Sequence, residues 1–222
     1  MDETLLTTAA LGQSRALVQP GPGRVLVTLS EVELGVGRPD VLLLTASKNG
    51  LLARARHRLR LGNLTEAEIL AAVHEGRRSK HTASHVRAVT RRLRALGWLV
   101  PGDRLRMTPR LISQSVLIEA KVRDWRTGIG QLARTTWVAE RSALLVPRDV
   151  ERRVPKALFQ HNGIGLIVQR SNGALAWRLR GRSRRISLVA DLWVTELAIR
   201  HLERGVAASQ PFLVNKHREA AP

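Results

Sequence analysis

Cysteine is absent from the 222-residue chain. That absence excludes disulfide bonds, thiolate zinc sites and cysteine nucleophiles, and it fits a cytoplasmic protein. No stretch approaches the roughly 18 consecutive apolar residues that a membrane-spanning helix requires, so we expect no membrane partner. The acidic start, Met1-Asp2-Glu3, lacks the basic region that opens a secretory signal peptide. The chain is 44% hydrophobic, which suffices for one large domain or two small ones.

Acidic residues are scarce. The chain has 18 Asp and Glu against 37 Lys and Arg, which gives a formal net charge of +19. Solubility does not require so large a charge, so a polyanionic partner is the simplest explanation. Nucleic acid is the leading candidate, and in a prokaryote this predicts association with the nucleoid.

Strand and helix patterns alternate over most of the chain. Arg24–Leu29 and Val41–Leu44 are predicted as the strands of a hairpin, because Gly35, Gly37 and Pro39 lie between them. After about residue 115 the predicted order is a strand at 116–122, a helix at 124–140, a strand at 143–146, a helix at 149–160, strands at 164–169 and 175–179, and a helix at 186–204. This alternation predicts an α/β fold with parallel crossovers.

Residues 50–110 differ in character from the rest. Helical periodicity replaces the strand pattern, and residues 51–110 hold 14 Lys and Arg but only four acidic residues. We therefore predict a separate basic unit at 50–110. It would be inserted into a discontinuous α/β domain formed by 1–49 and 111–208, and residues 209–222 would form a solvated tail.

Two capped helices are predicted inside this unit. Thr65-Glu66-Ala67-Glu68 has the pattern of a capping box and would open the first helix. Thr82 would cap the second helix, at 83–96. One inward-facing apolar stripe is expected on that second helix, formed by Val86, Val89, Leu93 and Leu96.

A further helix is predicted near 50–61, ahead of these two, and a hairpin of 98–100 and 104–108 follows them. This order of elements resembles the winged-helix fold. The resemblance implies that the helix at 83–96 enters the major groove of double-stranded DNA, while the hairpin contacts backbone or minor groove. A cationic face is also typical of a helix that is merely solvated. The predicted DNA-binding residues are Arg77, Arg78, Lys80, His85, Arg87, Arg91, Arg94, Arg104 and Arg106.

Charged residues also stand in two apolar strand segments. Asp40 precedes the strand at 41–44, and Glu119 and Lys121 lie within the strand at 116–122. Side chains two residues apart share one face of a strand and lie about 7 Å apart, so Glu119 and Lys121 should point together while Ala120 faces away. Burying charged side chains such as Glu119 and Lys121 costs free energy, which favours a functional role for them. Two carboxylates that hold Mg²⁺ or Mn²⁺, with a lysine near the attacked phosphate, are typical of phosphodiester hydrolysis.

Pro39-Asp40 and Glu119-Ala120-Lys121 resemble the motif of the PD-(D/E)XK nuclease superfamily. The strand-to-helix run through Gln131 and the later Gly163–Ile167 extend the likeness. The resemblance implies a restriction-endonuclease-like mixed sheet flanked by helices, with an inserted winged helix-turn-helix unit. It also implies that Asp40 and Glu119 are metal ligands, that Lys121 positions or polarises the water or phosphate, and that Gln131 is a catalytic residue supporting the site.

Two departures from the family pattern concern spacing and ligands. Asp40 and Glu119 are 79 residues apart, and the insertion of 50–110 explains that distance. Many members carry a further acidic residue upstream, for which the sequence offers Glu3, near the chain end, Glu31, and Glu33, predicted on a strand.

The residues leave alternatives open. Glu119 and Lys121 also fit a cross-sheet salt bridge or a polar edge strand. The predicted function is a Mg²⁺-dependent DNA endonuclease. The alternative is a non-catalytic regulator or architectural protein with an inactive nuclease fold, and a homodimer suits either. A second basic surface is predicted from Arg178, Arg180, Arg182, Arg184 and Arg185.

Overall fold

The computed structural model describes residues 2–34, 37–57, 59–106 and 110–209, and the side chains as far as residue 204. The end of the predicted second hairpin strand, residues 107 and 108, lies outside the described residues, as does the predicted tail from 210 on. The helices are α1 (Glu3–Gly12), α2 (Ser14–Leu17), α3 (Lys48–Arg56), α4 (Leu64–His74), α5 (Ala83–Ala95), α6 (Trp125–Thr135), α7 (Arg148–Glu151), α8 (Lys156–Asn162) and α9 (Leu188–Ser209). The strands are β1 (Arg24–Ser30), β2 (Val41–Ser47), β3 (Leu99–Val100), β4 (Arg104–Leu105), β5 (Ile112–Ala120), β6 (Arg141–Pro147), β7 (Gly165–Gln169) and β8 (Leu175–Leu179).

A mixed six-stranded sheet forms the centre of the molecule, in the order β1-β2-β5-β6-β7-β8. β1 pairs with β2, and β2 with β5, in antiparallel fashion, whereas β5, β6 and β7 are mutually parallel and β8 is antiparallel to β7. The crossover from β5 to β6 passes through α6. The predicted α/β class is therefore confirmed, and so is the hairpin of β1 and β2.

Helices cover both faces of this sheet. On one face, Leu6 and Ala10 of α1 pack on alternate residues of β5, including Ile118 and Ala120. On the other face, α6, α8 and α9 pack on the intervening positions, including Leu117. Burial on both sides explains why β2 and β6 are continuous apolar runs rather than alternating ones.

Some predicted elements need correction. The helices α1 and α2 at the start of the chain were not predicted, although Asp2 accepts a hydrogen bond from Thr4 N at 3.3 Å as the N-cap of α1. The helix predicted at 149–160 is two short helices, because Pro155 precedes α8 and the chain breaks there. The helix predicted at 124–140 ends at Thr135 and continues as one 3-10 turn, Thr136–Val138. Glu33, predicted on a strand, lies outside the strands.

The caps within the basic segment agree with prediction at one helix and differ at the other. Thr82 caps α5, as predicted, and accepts from His85 N. The predicted capping box at Thr65 lies two residues late: the N-cap of α4 is Asn63, which accepts from Glu66 N at 3.0 Å. Glu66 in turn accepts from Gly62 N at 2.6 Å. Asn63 rather than Thr65 is the N-cap because Asn63 precedes the helix in an extended conformation, whereas Thr65 is already helical.

The apolar stripe of α5 is shorter than predicted. Leu93 is fully buried and Val86 and Val89 are half-buried, but Leu96 is 40% exposed because the helix ends there and Gly97 turns the chain with φ 77°. Thr90 is buried in its stead. Residues 98–106 then form the two-stranded hairpin of β3 and β4.

A third hydrophobic cluster joins this segment to the C-terminal helix. Leu70, Leu93 and Trp98 pack together with Leu192 and Trp193 of α9. Beneath them, Arg54 and Glu196 form a buried ion pair at 2.8 Å. The basic segment thus shares its core with α9.

The direction of the strands fixes where the basic segment stands. β2 runs away from Asp40 and ends at Ser47, and β5 starts at Ile112 beside it, with Ser47 N donating to Leu111 O at 2.9 Å. Residues 48–111 therefore leave and rejoin the sheet at one edge. Asp40 and Glu119 lie at the opposite edge.

Candidate functional site

Asp40 and Glu119 face each other across two neighbouring strands. β2 and β5 are antiparallel, and Val41 is paired with Ile118, so the next position in register places Asp40 beside Glu119. Both lie at the carboxyl edge of the sheet, where β5, β6 and β7 end. A separation of 79 residues in sequence thus becomes a cross-strand contact.

A hydrogen bond holds Asp40 to the strand that carries Glu119, and an ion pair joins Glu119 to Lys121. Asp40 Oδ2 accepts from Ala120 N at 2.7 Å, and Lys121 Nζ lies 3.0 Å from Glu119 Oε1. Ala120 faces the opposite core, as strand alternation predicted. Glu119 is 2% exposed and Lys121 9%, so the pair is buried rather than a polar edge. We call Asp40, Glu119 and Lys121 the carboxylate site.

Glu3 also reaches this site. Its Oε2 lies 3.3 Å from Lys121 Nζ, and its side chain is 47% exposed at the mouth of the site. Glu3 opens α1, so it is held by that helix. Of the three acids proposed upstream, Glu31 instead pairs with Arg38 at the surface, at 2.7 Å. The Asp2 cap and the apolar residues of α1 were the signals that could have placed Glu3 on a helix.

Burial and like charge shift the titration of the site. Burial raises the pKa of Asp40 by more than the hydrogen bond from Ala120 and the charge of Lys121 lower it. Burial likewise raises the pKa of Glu119, and the charge of Asp40 adds to the effect. Burial lowers the pKa of Lys121, but its hydrogen bond to Glu119 and the surrounding carboxylates outweigh this, so the pKa of Lys121 is raised. A nearby cation would favour the ionised form of both carboxyl groups and so lower their pKa values.

Helix α6 closes the inner wall of the carboxylate site. A Cβ on Gly128 would stand 2.8 Å from Lys121 Cγ and 3.6 Å from Glu119 Cγ, so only glycine permits this approach. Gln131 follows one turn later, and its buried Oε1 has no hydrogen-bond partner among the described residues. In the part of the chain that the structure describes, no hydrogen bond joins Gln131 to the carboxylate site. The role of Gln131 in supporting the site therefore stays a prediction.

The donor set fits a hard divalent cation in part. Glu3, Asp40 and Glu119 supply carboxylate oxygens, and Lys121 offsets only one of their charges. Within the described ranges, no three Asp, Glu, His or Cys side chains are grouped closely enough to hold a metal ion by themselves. Mg²⁺ commonly takes one or two carboxylates and completes its shell with water and phosphate oxygens. Asp40 and Glu119 suit that arrangement.

The predicted DNA-binding residues lie on the basic segment, and all nine are exposed. Arg77 pairs with Glu75, Lys80 lies 2.7 Å from Glu68, and Arg94 lies 2.7 Å from Asp103. Arg87 and Arg91 are exposed on α5 and form no salt bridge within the described residues. The remaining predicted residues, Arg78, His85, Arg104 and Arg106, are also exposed.

The second predicted basic surface is divided by the fold. Arg178 lies beside the carboxyl ends of β6 and β7 and pairs with Glu151 at 2.5 Å. Because β8 runs toward the other edge, Arg184 and Arg185 line a groove at the start of β5 and β6, together with Asp191. The predicted basic surface is thus divided between two grooves at opposite ends of the strands.

Fold and site together define an α/β protein whose mixed sheet carries a buried carboxylate and lysine cluster at its carboxyl edge. No protein-family model and no curated protein matches the chain. Among solved structures, a protein of unknown function from Silicibacter pomeroyi is similar over 99% of each chain, with 11% sequence identity and a TM-score of 0.45. None of the helices in the described ranges is long and apolar enough to cross a membrane.

Proposed function

We propose that the protein is a Mg²⁺-dependent DNA endonuclease of the restriction-endonuclease-like type, which hydrolyses phosphodiester bonds at the carboxylate site. The observation that carries the proposal is the convergence of Asp40, Glu119 and Lys121, from two distant parts of the sequence, at one edge of the sheet. A salt bridge alone would not require the second carboxylate, whose burial raises its pKa.

Each residue has a distinct role in this proposal. Asp40 and Glu119 would hold the cation, which when bound supplies Lewis-acid chemistry at the phosphate. Lys121 keeps its proton at neutral pH, so it would contact a phosphate oxygen or orient the attacking water. Gly128 keeps α6 against both side chains.

The basic segment would bind the duplex as a winged helix. Its helix order, the capped helix α5 and the β3-β4 hairpin support this proposal, and the exposed Arg87 and Arg91 supply free charge for phosphates. A homodimer would bring two carboxylate sites to the two strands of a duplex.

A second candidate function is DNA binding without cleavage. It is favoured by the engagement of Lys121 with both Glu119 and Glu3, which leaves the ammonium occupied. Such a protein would use the same cationic surfaces as a regulator or architectural factor.

The test compares wild type with Asp40→Asn and Lys121→Met in a plasmid-nicking assay with Mg²⁺ or Mn²⁺. Asp40→Asn keeps an oxygen for Ala120 N, so its fold should be intact. We expect nicking to fall at least 100-fold in both variants, with DNA affinity in EDTA changed less than threefold. Calorimetric Mg²⁺ binding should be lost in Asp40→Asn.

Glu31→Gln is the matched control, because Glu31 is an exposed acid at the same edge that pairs with Arg38. It should nick DNA at the wild-type rate. A wild-type protein that nicks no supercoiled, relaxed or single-stranded DNA with either metal would overturn the nuclease proposal and leave the second candidate.

A further inference from the structure

The carboxylate site and the basic segment stand at opposite edges of the sheet. β5 connects the two edges with nine residues, Ile112–Ala120. At the usual rise per residue, this separates them by roughly 30 Å. That is the distance from Glu119 to the points where the basic segment leaves and rejoins the sheet, so the cations nearest to a nucleic acid strand at the carboxylate site are those at the carboxyl edge itself.

Five cationic side chains line a groove at that edge, and one of them, Arg178, pairs with Glu151. Arg148 follows β6 directly and Arg170 follows β7, so both lie beyond the carboxyl ends of strands parallel to β5. Arg152 and Lys156 join them in lining a groove of about 800 Å³. We call Arg148, Arg152, Lys156 and Arg170 the carboxyl-edge cluster.

The carboxyl-edge cluster is close enough to act with the carboxylate site. Ala120 is level with Leu145, and Leu145 with Ile167, so Arg148 and Arg170 each lie three residues past that level. Strand spacing and rise then put them on the order of 10–15 Å from Ala120. That distance corresponds to a few nucleotides along a strand.

These cations are not neutralised from within the described part of the chain. Its salt bridges include Glu151 with Arg178, but none that involves a member of the carboxyl-edge cluster. All four members are exposed, with Asp149 the one other acid in the same loop and helix segment. The buried Oε1 of Gln169, which lines the adjoining depression, also lacks a hydrogen-bond partner in the described ranges. A polar atom in this state is commonly completed by a ligand or water.

We propose that the carboxyl-edge cluster binds the backbone phosphates of the nucleic acid strand that lies at the carboxylate site. This inference rests on the proposed function for the location of that strand. Arginine suits the role because its planar guanidinium binds phosphate oxygens in pairs. The cluster is separate from the predicted DNA-binding residues of the basic segment and would act on the same molecule.

The test is the triple variant Arg148→Gln, Arg152→Gln and Arg170→Gln, measured in EDTA so that cleavage plays no part. The matched control is Arg15→Gln, Arg134→Gln and Arg153→Gln, which removes three exposed charges that do not line the groove. Anisotropy of labelled 20-nucleotide single strands and 20-bp duplexes gives the affinity over a salt series. We expect at least a tenfold loss for the triple variant at 100 mM salt and less than a threefold loss for the control.

The salt dependence gives a second readout. Loss of two or three phosphate contacts should lower the slope of log affinity against log salt by about 2. Equal losses on strands with and without a 5′-phosphate support backbone binding. A loss confined to 5′-phosphorylated ends, or unchanged affinity and slope, would overturn it.

A cleavage assay separates this inference from the proposed function. If the nuclease proposal is right, the triple variant should show a raised KM with kcat within threefold of wild type. If wild type does not cleave but the triple variant still loses affinity, the nuclease proposal fails and the phosphate-binding surface stands. Normal cleavage together with normal affinity in the triple variant would contradict phosphate binding by the carboxyl-edge cluster and would leave the nuclease proposal intact.

Discussion

Gly128 sets the distance between α6 and the carboxylate site. An alanine Cβ there would stand 2.5 Å from Leu144 Cδ1 and 2.8 Å from Lys121 Cγ, closer than packed atoms tolerate. We expect Gly128→Ala to destabilise the protein by about 1–3 kcal/mol through overpacking. The variant should also lower nicking activity, because Lys121 must move.

Gly130 provides the comparison for that prediction, two residues along the same helix. No atom lies within 4 Å of a Cβ built on it, so Gly130→Ala should stabilise α6 by about 0.5–1 kcal/mol. Urea unfolding of both variants measures the two effects. Equal midpoints for Gly128→Ala and Gly130→Ala would mean that α6 does not press on Lys121.

Asp191 makes stability depend on pH. It is 3% exposed, and burial raises its pKa to about 6 against the opposing effects of the hydrogen bond from Ile112 N and the charge of Arg54. The folded pKa lies above the unfolded one, so ionisation opposes folding. This cost is absent below pH 4, grows between pH 4 and 6, and reaches on the order of 3 kcal/mol above pH 6.

Asp191→Asn removes that ionisation and keeps an acceptor for Ile112 N. We expect the variant to gain stability relative to wild type as the pH rises from 4 to 7, in urea unfolding at several pH values. Glu203→Gln, an exposed substitution on the same helix, should shift stability by less than about 1 kcal/mol throughout. A constant difference between Asp191→Asn and wild type across this range would contradict the assignment.

Single residues were predictable where the relevant geometry is local. Strand alternation alone placed Glu119 and Lys121 together and turned Ala120 away. Glu3 was only a loose candidate, because its contact with Lys121 spans 118 residues and depends on how α1 crosses the sheet. No local pattern carries that information.

At the scale of elements, α9 binds the basic segment through Glu196. This fully buried carboxylate lies 2.8 Å from Arg54 of α3 and 3.1 Å from Arg200, and accepts from Leu61 N at 3.0 Å. Burial lowers the pKa of Arg54 to about 10, so the arginine is still charged at neutral pH. Glu196→Ala would leave that charge buried and alone, and we expect a loss of about 3–5 kcal/mol.

Glu203→Ala removes an exposed carboxylate that pairs with Arg60 at 2.9 Å, and should cost less than about 1 kcal/mol. Thermal and urea unfolding measure both losses. Similar small losses for the two substitutions would show that Glu196 is not the link between α9 and the basic segment.

The strands of the large sheet were predictable as elements because mostly apolar runs of four to seven residues are bounded by turn residues. Ends of helices were less so. Asn63 and Thr65 are both good caps, and which one serves depends on where the chain leaves its extended path into α4. Pro155 marks the break between α7 and α8, but the apolar pattern continues on both sides of it and predicted a single helix.

At the scale of the whole molecule, the basic segment that carries the cationic helix α5 joins the sheet at the end of β5 away from the carboxylate site. A duplex that touches both the carboxylate site and the basic segment at that junction must span roughly 30 Å, or about 9 bp at 3.4 Å per base pair. We expect Arg87→Gln with Arg91→Gln to reduce cleavage of a 20-bp duplex about tenfold at subsaturating DNA. Cleavage of an 8-bp duplex should be unaffected, because so short a duplex cannot reach both places.

Oligonucleotide duplexes of 8, 12, 16 and 20 bp provide the measurement. Arg134→Gln is the control, since it removes an exposed charge from α6. If the 8-bp duplex is as sensitive to the two α5 substitutions as the 20-bp duplex, the two places do not act on one DNA molecule.

The hydrogen bond from Ser47 N to Leu111 O has a consequence for the order of folding. Pairing β2 with β5 requires an intervening chain of more than 60 residues to close, which is slow when that chain is unstructured. Packing of α4 on α5 and on α9 brings the two ends of the basic segment together, so the long closure becomes a short one. Mutations in the core of that segment, such as Leu93→Ala, should therefore slow formation of a sheet that they never touch.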